Sequence, residues 1–186
     1  MADALTSDQN AVKIACRNVW KVYGSDPAQF FTQRNGAVDD PKTLYQRMID
    51  AAHIPAACNV SFDVNIGEIF IIMGLSGSGK STMVRCISRL VEPSAGEVLL
   101  DDQNLLAVSE RGLIEFRRHK MGMVFQNFGL LPHQTVLENV AFPLKVQGIA
   151  KTERDERAQK VISLVGLEGR ERSFPRELSG GQQQRV

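Results

Sequence analysis

Apolar and polar positions follow several different periods along the chain. Val12, Ile14, Cys16 and Val19 mark residues 12–23 as a strand or strand pair. Val60, Phe62, Val64 and Ile66 alternate, so residues 58–66 read as a half-buried strand. Residues 68–73 are apolar without alternation, the pattern of a strand inside a parallel sheet. Shorter strands are expected at 97–100 and 121–126. Helical spacing appears at 41–52, through Leu44, Met48 and Ala51/Ala52, with Pro41 at the first helical position. A helix is expected at 80–90, ended by Glu92-Pro93, and another at 109–119 with Ser109 as N-cap. Thr135 followed by Glu138 forms a capping-box pattern that opens a further helix. The helix expected at 152–165 turns Ala158, Val161, Ile162 and Val165 inward. Glu153–Arg157 and Glu156–Lys160 are spaced as ion pairs on its wet face. Residues 24–27 carry a turn signal, and residues 1–11 are polar and expected to be a flexible N-terminus.

The chain has 186 residues, a little over one domain by length. A hydrophobic fraction of 43% with 23% charged residues fits a globular core and excludes disorder as the dominant state. Lys and Arg number 22 against 21 Asp and Glu, for a net charge of +1. That balance disfavours a domain-wide grip on nucleic acid, which calls for a strongly basic surface. Cys16, Cys58 and Cys86 lie far apart and form no CxxC pair, which argues against a zinc site or a disulfide framework. The first ten residues have neither a basic nor an apolar region, so no secretory signal is expected. No apolar run approaches the roughly 18 residues of a membrane span.

One stretch carries chemistry. Gly74-Leu-Ser-Gly-Ser-Gly-Lys80-Ser81 matches G-x-x-x-x-G-K-[ST], between an apolar run and an apolar helix. Glycines let the backbone curl so that successive N–H groups point inward at an anion. The helix that follows adds its positive end. Lys80 supplies a point charge for β- and γ-phosphates, and the Ser81 hydroxyl is a Mg²⁺ ligand. The Gly74, Gly77 and Gly79 spacing does not fit a dinucleotide fingerprint. Leu178-Ser-Gly-Gly-Gln182 reads as a glycine turn capped by Ser179, with Gln182 completing a second capping box. That makes a second helix N-terminus open to an anion.

Taken together, the two motifs resemble the ATP-binding cassette ATPases over residues 12–186. The segment from Gly74 to Thr82 is similar to that family's Walker A loop, and Leu178 to Gln182 to its signature sequence. Met121-Gly-Met-Val-Phe-Gln126, with Leu131-Pro132 and Thr135-Val-Leu-Glu138-Asn139-Val140, resembles its Q-loop region. Tyr23, in Val19-Trp-Lys-Val-Tyr-Gly24, matches the aromatic that stacks on adenine. The resemblance implies an α/β fold: a P-loop NTPase (RecA-like) core with an N-terminal antiparallel β-subdomain and an α-helical signature subdomain, incomplete at the C-terminus. It places the cassette core at 12–126, with an insertion at 24–57, and the helical subdomain at 127–186.

The resemblance also assigns roles. ATP and Mg²⁺ are the implied cofactors. Tyr23, Gly74, Ser76, Gly77, Ser78, Gly79, Lys80, Ser81 and Thr82 would bind nucleotide, and Ser81 and Gln126 would reach the metal. Gln126 would also contact the attacking water and sense a membrane subunit. Ser179, Gly180, Gly181 and Gln182 would meet the γ-phosphate held by a second copy in a head-to-tail dimer. The family's catalytic Glu and switch His follow the signature and are absent up to Val186. ATP binding without turnover is therefore expected of these 186 residues. His53, His119 and His133 precede the signature and are expected as surface or loop histidines. The basic run 117–120 is expected to complement a helix dipole, and the sign-balanced run 151–172 to be a solvated face.

The insertion near 25–55 and the run Gly67 to Arg85 resemble the ATPase subunits of quaternary-amine importers, which serve glycine betaine, proline betaine and choline. Such a subunit would work at the cytoplasmic face of the plasma membrane. Its partners would be a second copy, a transmembrane permease and, indirectly, a substrate-binding protein, without nucleic acid. Residues 128–133 would meet the permease. The alternatives are an importer ATPase for another solute, a soluble cassette of DNA repair or translation, and a non-hydrolysing nucleotide-binding module.

Overall fold

A computed structural model of the protein describes residues 11–125 and 128–186. The expected flexible N-terminus therefore lies, Ala11 apart, outside the described residues. The chain divides into two compact units between Leu113 and Ile114.

The first unit is built on β1 (Val12–Tyr23), which lies between β2 (Ile54–Asn65) and β3 (Ala95–Leu100), with β4 (Gln103–Asn104) outermost. All pairings are antiparallel. The β1–β2 register runs from Val12 opposite Asn65 to Tyr23 opposite Ile54. Trp20 and Val22 are buried against Ala95, together with Leu44 and Met48 of α1 (Pro41–Asp50). The Trp20 indole N–H donates to the Gly36 carbonyl at 2.9 Å, which leaves no buried polar atom wanting on that ring. The expected insertion is thus fastened to the sheet by an apolar cluster and a buried hydrogen bond.

Asp40 caps α1 by accepting from the Lys42 and Thr43 N–H groups, and Pro41 occupies its first turn as expected. The helix stops at Asp50, so Ala51 and Ala52 do not extend its inward face. Ala52 turns left-handed, with φ +57°. His53 lies in the loop between α1 and β2, within the expected surface or loop placement, but it is buried there. Its ring nitrogens lie 2.8 Å from the Ala51 carbonyl oxygen and 2.7 Å from that of Ser25, and its edge meets Phe30. Histidine is thereby used to close the two ends of the insertion.

Two expected strands do not form. Residues 68–73 and 121–125 pair with no described strand. Ile69 is 88% exposed, Ile71 70% and Val124 100%. Continuous apolar strands need neighbours on both edges and cover on both faces. Here the sheet is a small antiparallel one in the order β2-β1-β3-β4, and the chain leaves it at Asn65, whose N–H donates to the Glu68 carboxylate at 2.7 Å. The helix expected at 80–90 appears as α2 (Lys80–Ile87). It ends where Arg89 takes φ +51° and donates to the Leu105 and Val108 carbonyls.

The division between the units falls within α3 (Glu110–His119), whose last turn carries Arg117, Arg118 and His119 as its dipole favours. The second unit packs α4 (Val136–Val146) and α5 (Lys151–Leu164) around Val136, Ile162, Leu167 and Leu178. Thr135 and Glu138 form the expected capping box. Ala158 and Ile162 are buried, but Val161 is half exposed and does not belong to the inward face. Glu153 pairs with Arg157, whereas no ion pair joins Glu156 to Lys160 among the described residues. Asn139 was not foreseen. Its side chain accepts from the Leu131 N–H and donates to the carbonyls of Leu131, Gln134 and Thr135. One amide thereby shapes the whole 131–135 turn.

Two predictions arise from this packing. Burial pushes the Cys16 thiol up to about 12 and that of Cys86 up to about 11, from an ordinary 9.0. A thiol reagent at mild alkaline pH should label Cys58 first and the other two only on unfolding. Because the folded state keeps both protons where the unfolded chain releases them, stability should fall as pH rises above 9.0, in pH-dependent denaturation. Separately, Asn139→Ala leaves turn carbonyls without donors and should cost about 1–3 kcal/mol, read by chemical denaturation.

Candidate functional site

The glycine-rich loop joins the extended segment 68–73 to the start of α2. The Lys80 ammonium is folded back onto the loop, donating to the Gly74 carbonyl at 2.8 Å, the Leu75 carbonyl at 2.6 Å and the Ser78 hydroxyl at 3.4 Å. The cation of this chain thus sits in the concavity that its own loop makes. An anion entering there finds a positive charge already in place, and a helix N-terminus beside it. Ser76, Gly77, Ser78 and Ser81 are exposed, and Thr82 is half-buried. The Ser81 hydroxyl, one residue into α2, is open to a hard cation such as Mg²⁺, for which oxygen donors are suited.

Gly79 shows how the loop is located. Its φ is +86°, and a Cβ built there would overlap the Ala56 carbonyl oxygen of β2. Ala56 lies two residues beyond Ile54, the partner of Tyr23 in the β1–β2 ladder. Backbone contact therefore ties the loop to the strand pair that carries Tyr23. A cleft of about 740 Å³ opens beside the loop, walled by Pro55, Ala57, Phe62, Phe70, Ile72 and Met83 among others. Tyr23 does not line it. The Phe62 and Phe70 rings stack there at 4.6 Å.

Tyr23 ends β1 and is 42% exposed. Lys21, two residues earlier on the same strand face, holds its ammonium 4.8 Å from the centre of the Tyr23 ring. The sequence reading missed Lys21. The i, i+2 spacing on a strand is the signal that could have found it.

The second motif lies in the other unit. Ser179 caps α6 (Gly180–Gln183): its hydroxyl accepts from the Gln182 N–H at 3.3 Å, and the Gln182 side chain accepts from the Ser179 N–H at 2.9 Å. Leu178 is buried in the α4–α5 core, so the motif is anchored at its first residue and exposed at Ser179, Gly180 and Gly181. Gln183, also missed, donates to the Pro175 and Leu178 carbonyls and braces the turn. With four residues, α6 develops little macrodipole, so exposed N–H groups rather than a helix field are what this turn offers an anion. Gln126, expected at the metal and the attacking water, lies outside the described residues. Among the described residues no cluster of His, Cys, Asp and Glu could hold a metal ion, and no helix is long and apolar enough to cross a membrane.

The close approach at Gly79 yields a prediction. Gly79→Ala should destabilise the first unit more than Gly77→Ala, measured by thermal denaturation. Both positions need positive φ, at a cost of about 1 kcal/mol, but only position 79 adds a backbone collision.

Comparison with known proteins agrees with both motifs. A family model described as ABC transporter matches residues 57–186. The trimethylamine N-oxide transport system ATP-binding protein TmoW of Ruegeria pomeroyi is 54% identical over 175 residues, covering 93% of this chain and 49% of the relative. The glycine betaine/proline betaine transport system ATP-binding protein ProV of Escherichia coli is 43% identical over 176 residues, covering 95% of this chain and 43% of the relative. The chain thus spans about half the length of the curated relatives it matches. A solved dimeric ATP-binding cassette, in a post-hydrolysis state bound to ADP and Pi, superposes with a TM-score of 0.72 at 35% identity, covering 92% of this chain and 66% of that one. The α/β fold is thus that of an ATP-binding cassette, and the chain belongs to the ABC transporter family.

Proposed function

We propose that this chain is the nucleotide-binding part of an importer's ATPase subunit and takes ATP with Mg²⁺ at the loop 74–82. The observation that carries the reading is the position of Lys80, held by the Gly74 and Leu75 carbonyls inside a glycine-rich loop that opens a helix. On binding, Lys80 would leave these carbonyls for the β- and γ-phosphates. Gly74, Ser76, Gly77, Ser78 and Gly79 would present backbone N–H groups, and Ser81 and Thr82 would present hydroxyls. Tyr23 would stack on the base. When bound, Mg²⁺ neutralises phosphate charge and so favours phosphoryl transfer. Ser81 and Gln126 are the residues proposed to reach it.

Ser179, Gly180, Gly181 and Gln182 are proposed to face the γ-phosphate on a second copy. The dimeric cassette of 35% identity supports that arrangement. The proposed functional division is a cassette core at 12–126 and a helical subdomain at 127–186. The names of the similar proteins support a small methylated amine or amine oxide as cargo, among them trimethylamine N-oxide, glycine betaine and proline betaine. The cargo would be bound by other subunits, with this chain at the cytoplasmic face of the membrane beside a permease.

Calorimetric titration of the chain with MgATP tests the reading. Saturable binding should be seen, and Lys80→Ala should weaken it at least about 10-fold, as expected for loss of a charge-assisted contact. Equal affinity in both proteins would refute the loop as the site.

A further inference from the structure

The site as read so far leaves Lys21 without a task. It carries a positive charge at the edge of a site that needs a flat, neutral base at that end. Its surroundings hold it in one place. The ammonium donates to the Glu92 carbonyl at 2.9 Å and lies 4.8 Å from the centre of the Tyr23 ring. The segment that offers the carbonyl is itself fixed. The Ser94 N–H donates to the Trp20 carbonyl at 2.8 Å, and the Ser94 hydroxyl accepts from the Val22 N–H at 3.0 Å. The Glu92 carboxylate is paired with Arg89 at 2.7 Å, and Arg89 is anchored on the Leu105 and Val108 carbonyls. The acceptor of Lys21 is thus laced to β1 on one side and to the 105–108 turn on the other.

We propose that Lys21 is a positioning residue for the base of the nucleotide, acting through the Tyr23 ring. The inference rests on the proposed binding of ATP at the loop. The ammonium lies over one face of the ring, and in the half-exposed ring the other face would be the one to stack. A cation on one face is held by the ring's negative quadrupole. It also draws π-density toward itself, which lowers the repulsion between the opposite face and the π-cloud of a stacked base. The pin at Glu92 matters as much as the charge, because a free lysine would sample both faces and compete with the base. Since Glu92 follows α2 and Lys80 begins it, the same helix carries the phosphate cradle at its start and sets the lysine that steadies the base platform after its end.

The test compares MgATP with inorganic tripolyphosphate, which has the phosphates and no base, on the full chain by calorimetry. Lys21→Met keeps the aliphatic stem and removes the charge. It should weaken MgATP about three- to fivefold, the scale of an exposed cation–π contact, and leave tripolyphosphate unchanged. Lys21→Arg should restore ATP affinity. In a Tyr23→Ala background, Lys21→Met should cause no further loss. The proposal is overturned if Lys21→Met leaves ATP affinity intact, if it weakens tripolyphosphate equally, or if its effect persists without Tyr23. The last two outcomes would make Lys21 a brace for the 91–94 segment only. Wild-type protein that binds neither ligand would overturn the phosphate-loop reading and this inference together. Wild-type protein that binds both ligands with equal affinity would overturn this inference alone.

Discussion

The hydrogen-bonding of β1 on both edges is the constraint on which the first unit depends. It pairs with β2 from Val12 to Tyr23 along one side and with β3 from Ile14 to Trp20 along the other. A strand so placed cannot slip by one residue without turning its buried side chains to solvent. Trp20 and Val22 therefore stay on the face that receives α1, and Lys21 and Tyr23 stay on the opposite pleat. Residues of the segment 24–57 pack on the first pair, and the second pair places the Tyr23 ring beside the Lys21 ammonium. The alternation along the end of β1 thus decides both what the segment 24–57 packs against and where the Tyr23 ring is exposed.

The glycine-rich loop 74–82 draws its position from the same ladder. Gly79 presses its backbone on the Ala56 carbonyl, a contact that no side chain would permit. A loop made of glycines has little enthalpy of its own to hold a shape, and it loses more chain entropy than other residues on folding. Contact with a paired strand on one side and a helix on the other supplies the missing order. Lys80, turned inward onto carbonyl oxygens, holds the loop curled without a ligand. Ligand binding on this reading is an exchange of weak acceptors for strongly charged ones rather than the building of a site from an open chain.

The apolar segments 68–73 and 121–125 show the opposite situation. Their composition belongs to the interior of a parallel sheet, yet Ile69, Ile71 and Val124 face solvent. Hydrophobic runs with unpaired backbone edges are costly to keep in water and prone to pair with other strands. Around α4 and α5 the satisfied case is seen. Leu178 enters the core of α4 and α5, and Asn139 satisfies the carbonyls of a tight turn, so the exposed Ser179–Gly181 turn stands on a packed base.

Local chemistry made much of the chain legible. The loop 74–82, the capping boxes at Thr135 and Ser179 and the start of α1 at Pro41 all depend on residues within a few positions of each other, and the sequence alone determined them. The family followed from two such motifs taken together. What required the tertiary structure was every feature set by a partner distant in sequence. Residues 68–73 read as a strand, but a strand exists only where another backbone pairs with it. His53 read as a surface or loop residue, and only the fold shows that the carbonyls at Ser25 and Ala51 enclose it. Lys21 had no reading of its own, and only the fold brings the Glu92 carbonyl, 71 residues away, to pin it over Tyr23. Periodicity reports which way a side chain points, whereas the identity of what it meets is decided by how the chain returns on itself.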